Sequence, residues 1–316
     1  MNASQQLIGG VIIMLALILL ARLLLRLNLL KTEHSSLFSN LVLKVTLPAV
    51  IFYSLAIKSF NSDYLIMAAI MAIVEIAMIF LAILIASALK FNRGEKGALI
   101  LVSAFGMTSM LGYPIIRQVF PANALAMEET VITSEFGVGL LLFILGPFIA
   151  MYYGDSKVKG KSIISSARNF FVSPIFFALI AGIGFSFIPL NHDSEAFKTF
   201  VRFFKIVGHA NTVMVTFTIG LILNFKRASH IYLFLSIAVI LKLVIKPLLS
   251  VWLTNNGHFT EMMREIVLIE TALPSALLTA IFAKQYNCRP DLVSVAIMTT
   301  LVLSVLSVSL IFITFF

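Results

Sequence analysis

The sequence predicts an all-α integral membrane protein with ten transmembrane helices in two inverted five-helix repeats. Three observations predict it. Hydrophobic residues make up 60% of the 316 positions and charged residues 12%, about half the charged share of ordinary soluble domains. Ten apolar stretches are each long enough to cross the hydrocarbon layer. Lysine and arginine gather in every second connection between them. A chain with mean hydropathy +1.05 and 28 Phe cannot cover a soluble fold with polar surface. Soluble enzymes, disordered tails and disulfide scaffolds are thereby excluded. The single Cys288 leaves no intrachain disulfide.

The ten stretches are 7–27, 36–57, 64–89, 97–120, 131–153, 170–189, 201–223, 231–253, 264–284 and 292–315. The first opens MNASQQLIGG without a basic head, and Arg22 and Arg26 stand where a cleavage site would follow. It reads as a retained helix, not a signal peptide.

Charge fixes the orientation. The connections after spans 1, 3, 5, 7 and 9 carry Arg26 and Lys31; Lys90, Arg93 and Lys96; Lys157, Lys159, Lys161 and Arg168; Lys226 and Arg227; Lys284 and Arg289. The connection after span 4 carries Glu128 and Glu129, and the other alternate connections are mixed. The positive-inside rule then puts both termini outside and the 154–169 loop in the cytoplasm, for a multi-pass protein of the plasma membrane. It also accounts for the net charge of +9 without nucleic acid.

The 154–169 linker separates an N-terminal repeat, 1–153, from a C-terminal repeat, 170–316. Five spans per half force opposite insertion, the inverted plan of many secondary transporters. Span 4 contains Gly112-Tyr113-Pro114 and span 9 contains Leu273-Pro274-Ser275. A proline within a helix removes one backbone bond, and in lipid the freed groups need other partners. Paired interruptions in corresponding spans point to a binding site. Pro147 and Pro247 read as ordinary kinks. Where each helix resumes, free N–H groups and a positive dipole end favour an anion, most simply a carboxylate.

The candidate binding residues are Thr108, Ser109, Gly112, Tyr113 and Pro114 in span 4. Thr271, Pro274 and Ser275 in span 9 join them, with Asn211 in span 7. Such hydroxyls otherwise bond back to their own helix carbonyls. Glu75 in span 3 and Glu270 in span 9 are intramembrane charges, functional by default. They read either as proton-coupling groups or as members of structural buried pairs, Glu75 with Lys44 or Lys242. Lys205 and Lys246 read as snorkelling side chains. Catalytic and metal-binding motifs are absent from the sequence, as is a nucleotide-binding loop, so no enzyme is expected and no cofactor. Coupling to a proton or to sodium stays open.

The tracts TSMLGYP (108–114), LVLKVTLPAVIFYSLA (41–56) and ETALPSALLTAIFAKQYNCRPDLVSVAIMTTLVLS (270–304) resemble those of the auxin efflux carrier (AEC) family, bacterial type. The resemblance implies ten spans, crossing broken helices 4 and 9, a scaffold domain and a transport domain, and a homodimer in the lipid bilayer. It implies a secondary carrier of a small organic anion, such as malonate or malate, working by alternating access. One departure stands out: Met107 occupies a position where the family often has Asn. A sodium-coupled bile-acid-type symporter, or a channel or receptor on the same fold, is the alternative.

Overall fold

The computed structural model describes residues 3–56, 63–121, 123–154, 171–188, 194–222, 232–255 and 259–315. The chain is mostly helical, with no strand among the described residues beyond one isolated bridge. The basic run KVKGK of the 154–169 linker lies outside the described residues, as do Lys226 and Arg227.

The helices in chain order are α1 (Ala3–Arg26), α2 (His34–Ala56), α3 (Asp63–Ala88), α4 (Arg93–Ala104), α5 (Tyr113–Val119) and α6 (Ala124–Tyr153). They continue as α7 (Pro174–Ser186), α8 (Glu195–His209), α9 (Asn211–Ile222), α10 (Tyr232–Thr254), α11 (Glu261–Ala272), α12 (Leu277–Gln285) and α13 (Pro290–Phe315). Among the described residues α2, α6, α10 and the stretch Leu65–Ala88 of α3 are long and apolar enough to cross a membrane. Wider π-helical turns interrupt α2 at Val42–Thr46, α6 at Thr133–Gly139 and α10 at Leu241–Ile245, and another, Thr108–Gly112, leads into α5.

Local sequence sets many of the ends. Asn92 and Glu95 form a reciprocal capping box at α4, with Oδ1 of Asn92 accepting from the Glu95 amide at 2.9 Å. Ser173, Ser194 and Thr260 cap α7, α8 and α11, each side-chain oxygen accepting from the amide three residues on, and Pro174 sits at the first position of α7. Asn28, Lys90, Asn287 and Arg289 take positive φ at helix exits. The span count places Glu128 and Glu129 in a loop, but both lie inside α6 and are buried. The run ALAMEE is made of strong helix formers and holds no breaker, so the helix begins directly after Pro121 and Asn123.

The chain divides into two compact units, each drawing segments from both sequential halves. The first comprises 1–62, 113–131 and 169–223. In it α1 packs on α9 and α5, and α2 packs on α7 and α8. Phe52 anchors the α2 contact, its ring 5.3 Å from Phe185 and 4.6 Å from Phe204. Thr46, in the π turn of α2, donates to Oδ1 of Asn211 at 2.8 Å. Arg117 donates to the Tyr53 hydroxyl. Lys198, Arg202, Lys205 and His209 repeat at helical spacing along the exposed face of α8.

The second unit comprises 63–112, 132–168 and 224–316. Val74, Met78, Ala82 and Ala86 form a four-residue-period seam on α3, buried against Ala98–Val102 of α4. Ile73, Phe80 and Leu84 on the opposite side of α3 are exposed, 63% for Phe80. An apolar outward face is stable where the surrounding solvent is hydrocarbon. At the start of α13, Arg289 donates to Asp291 at 2.8 Å and approaches Glu95 at 3.4 Å. The hydrogen bond from Arg289 holds the Asp291 carboxyl below its ordinary value, and the same bond raises Arg289.

Candidate functional site: an antiparallel crossing in the second unit

Two helical paths in the second unit open at the same place. After α4 ends at Ala104, Phe105 turns extended (φ −85°, ψ 130°), and helical geometry resumes only at Thr108. After α11 ends at Ala272, Leu273 turns extended (φ −64°, ψ 153°), and α12 starts at Leu277. The extended pieces run antiparallel and pair at Gly106 and Ser275. The Met107 amide donates to the Pro274 carbonyl at 2.9 Å, and the Ala276 amide donates to the Phe105 carbonyl at 3.0 Å. Each opening thereby satisfies backbone groups freed in the other, the condition for non-helical backbone at membrane depth.

The prolines stand differently at the two openings. Pro274 lies within its gap. Pro114 lies beyond its gap, at the second position of α5, after the π turn Thr108–Gly112. Helical geometry is already running from Thr108, so Pro114 withholds a backbone donor inside the path 108–119, at the junction of the π turn and α5. The gap at 105–107 comes instead from the pairing with 274–276.

The hydroxyls found from sequence are engaged with protein. Ser275 Oγ donates to the Val102 carbonyl at 2.6 Å, and its amide donates to Thr300 Oγ1 at 3.2 Å. Thr271 Oγ1 donates to the Val267 carbonyl at 2.8 Å and contacts Ser250 Oγ at 2.9 Å. Ser109 Oγ donates to Glu135 Oε1 at 2.6 Å. Thr108 is buried beside the crossing. Gly112 lies against span 9: a Cβ placed on it would meet Leu273 Cδ1 at 3.0 Å and Glu270 Oε1 at 3.3 Å. Tyr113, Pro114 and Asn211 belong to the first unit, where Asn211 holds Thr46.

The charges pair otherwise than the sequence suggests. Glu75 is matched by Lys246, not by Lys44 or Lys242. Lys246 Nζ stands 2.5 Å from Glu75 Oε1 with neither side chain exposed. The same ammonium donates to the carbonyl of Ala104, the last residue of α4, at 2.5 Å. Lys246 therefore does not snorkel. Four residues before it on α10, Lys242 is buried completely, and its Nζ has no hydrogen-bond partner among the described atoms. The charges it feels are Lys246 and Glu75. A Cβ on Gly106 would lie 3.0 Å from Lys242 Nζ and 3.6 Å from the Glu270 carbonyl oxygen. Gly106 is thus the residue that lets an ammonium reach the crossing. The readable signal is the pair of lysines four apart within an apolar stretch, Lys242 and Lys246.

No group of three or more His, Cys, Asp or Glu among the described residues is arranged to hold a metal. Two stretches of the chain, 7–158 and 156–312, match the family model described as membrane transport protein. An uncharacterized transporter of Methanocaldococcus jannaschii is 24% identical over 308 residues, covering 95% of this chain and 96% of that protein. An uncharacterized transporter of Methanothermobacter thermautotrophicus is 27% identical over 305 residues, covering 95% of each. With nearly its whole length matched, the chain belongs to the auxin efflux carrier family of membrane transport proteins, a family of multi-pass transporters and not of enzymes.

Proposed function

We propose that the protein is a secondary carrier of a small organic anion, a carboxylate in the simplest case, working by alternating access in the plasma membrane. One observation carries the reading: the antiparallel pairing of Gly106 and Ser275, after which two helical segments restart within one compact unit. α12 restarts at Leu277, and Ala276 before it offers no side-chain cap. Unsatisfied first-turn amides and the positive end of the dipole favour an anion at such a restart. The basic face of α8, with Lys198, Arg202, Lys205 and His209 lining a groove of the first unit, suits the approach of an anion.

In this reading Gly112, Pro274 and Ser275 shape the binding region of the second unit, with Thr108, Ser109 and Thr271 contributing polar groups. Glu75 and Glu270 are the charges whose balance the cycle must keep. The ten spans form two inverted five-helix repeats with helices 4 and 9 interrupted, and the carrier is a homodimer. Both termini lie outside and the 154–169 loop lies in the cytoplasm, as the alternation of basic residues supports.

The test is counterflow of labelled malate and malonate in proteoliposomes, with a wider carboxylate panel ranked by dose-dependent thermal stabilisation. Saturable exchange is expected. Conductance without saturation would make the protein a channel, and binding without flux would make it a receptor. Wild-type exchange by both Pro114→Ala and Pro274→Ala would remove the site from the crossing.

A further inference from the structure

A buried ammonium that bonds to nothing is costly, and an intramembrane charge of that kind marks a functional site. Lys242 is such a group: it is fully buried, and its Nζ has no hydrogen-bond partner among the described atoms. The charges acting on it are Lys246 and Glu75. Glu75 is already hydrogen-bonded to Lys246, whose second acceptor is the Ala104 carbonyl. One carboxylate thus stands against two lysines, and a positive charge is left over. That charge sits at the pairing of the two interrupted paths. A Cβ on Gly106 would lie 3.0 Å from Lys242 Nζ, and Gly106 pairs with Ser275. Glu270 presents its carbonyl oxygen to Gly106, while its carboxylate lies beside Gly112. Two residues past Ser275, α12 opens without a side-chain cap, and its positive dipole end adds to the same sign.

We infer that Lys242 is the residue that binds the transported anion, its ammonium taking one carboxylate group of the substrate at the Gly106–Ser275 pairing. The inference rests on the carrier reading above and deepens it by naming the side chain that recognises the charge. With Lys246 balanced by Glu75, a single carboxylate neutralises the three groups. A charge-assisted bond of about 2.7–2.9 Å, shielded from bulk water, discriminates an anion from its neutral ester. Gly106 keeps the space in front of Nζ clear of a side chain. Met107, next to it, has no side-chain donor, so recognition of the carboxylate falls to the lysine.

The test uses the purified full chain in detergent and in proteoliposomes, with malonate, its monomethyl ester, its dimethyl ester and bromide as probes. The wild type is expected to show a saturable rise in melting temperature of about 2 °C or more with malonate and the monoester, and none with the diester. Lys242→Met is expected to melt about 2 °C or more above the wild type without ligand, because it removes an unpaired buried charge. The same variant is expected to lose the response to both carboxylates, and its malonate exchange is expected to fall about tenfold or more. A lysine kept for structure alone would show the opposite pattern, a lower ligand-free melting temperature and an intact response. Gly106→Ala, which leaves the lysine in place, is expected to weaken the malonate response and supplies the measurement if Lys242→Met does not purify. A folded variant at either position that keeps the full wild-type response overturns the inference, and carboxylate exchange by that variant leaves the carrier reading standing. A wild type indifferent to malonate, the monoester and bromide also overturns it. Saturable stabilisation by bromide that Lys242→Met loses, with no carboxylate exchanged by the wild type, supports Lys242 as an anion ligand and removes the organic-anion reading.

Discussion

Lys246 Nζ and Glu75 Oε1 lie 2.5 Å apart at full burial, on helices joined across 171 residues of sequence. The ammonium also holds the end of α4 through Ala104. This one side chain therefore ties α10 to α3 and to the opening at 105–107. Removing either partner leaves the other buried without its hydrogen-bonded ion-pair partner, whereas removing both leaves Lys242 as the one charge of the three.

Glu75→Ala and Lys246→Ala are each expected to destabilise the fold by about 3–5 kcal/mol. The combination Glu75→Leu with Lys246→Met is expected to restore part of that loss, the buried Lys242 ammonium having lost Glu75 as well, while abolishing transport. Thermal unfolding in detergent, paired with counterflow, checks both parts. A double variant as unstable as the singles would mean that the pair stabilises by more than charge neutrality.

Gly137, on the π turn of α6, sits where a Cβ would lie 2.7 Å from Met71 Cβ and 2.8 Å from the Ala68 carbonyl oxygen. Backbone cannot yield as a side-chain tip does, so Gly137→Ala is expected to destabilise by about 1–3 kcal/mol. Gly184 on α7 has nothing within 4 Å of the same point. There Gly184→Ala is expected to stabilise by about 0.5–1 kcal/mol through helix propensity. Melting temperatures of the two variants should move in opposite directions.

Asn211 is the acceptor for the buried Thr46 hydroxyl at 2.8 Å. Asn211→Leu leaves that donor without its partner and is expected to destabilise by about 1–3 kcal/mol. Adding Thr46→Val should recover part of the loss. A double-mutant cycle on unfolding reads the coupling, and additive effects would show that the bond contributes nothing.

Asp291 has its carboxyl held below its ordinary value by Arg289. A carboxyl depressed in the folded state stabilises above its unfolded value of 3.8 and loses that contribution as pH falls through the lowered value. Asp291→Asn is therefore expected to destabilise slightly at pH 7, by about 0.2–1 kcal/mol because the pair is solvent-exposed. The difference from wild type should vanish in strong acid, where both carry a neutral side chain. A pH series of melting temperatures checks the sign.

The basic face of α8 predicts a kinetic effect. Arg202→Gln with Lys205→Gln is expected to lower the initial uptake rate of a carboxylate at low ionic strength and to flatten its salt dependence. Uptake measured across an ionic-strength series reads the slope. An unchanged slope would mean that anions do not approach along that face.

The sequence by itself determined that the chain is an apolar helical membrane protein, which family it belongs to, and where its helical paths become unusual. Hydropathy and proline placement are local properties, and lipid leaves a chain few alternatives to helices. Only the tertiary structure decided what happens at the openings. The gap of span 4 falls at 105–107 because Phe105 and Met107 find partners in 274–276, a pairing between segments about 170 residues apart. The partner of Glu75 was hidden for the same reason. Three lysines offered the right charge, and only packing brings Lys246 to the carboxylate while Gly106 leaves Lys242 room beside the crossing. The hydroxyls, legible as polar groups in apolar helices, proved to be held by Val102, Val267 and Glu135. Residue type reports the capacity to hydrogen-bond, and the folded neighbours decide where that capacity is used.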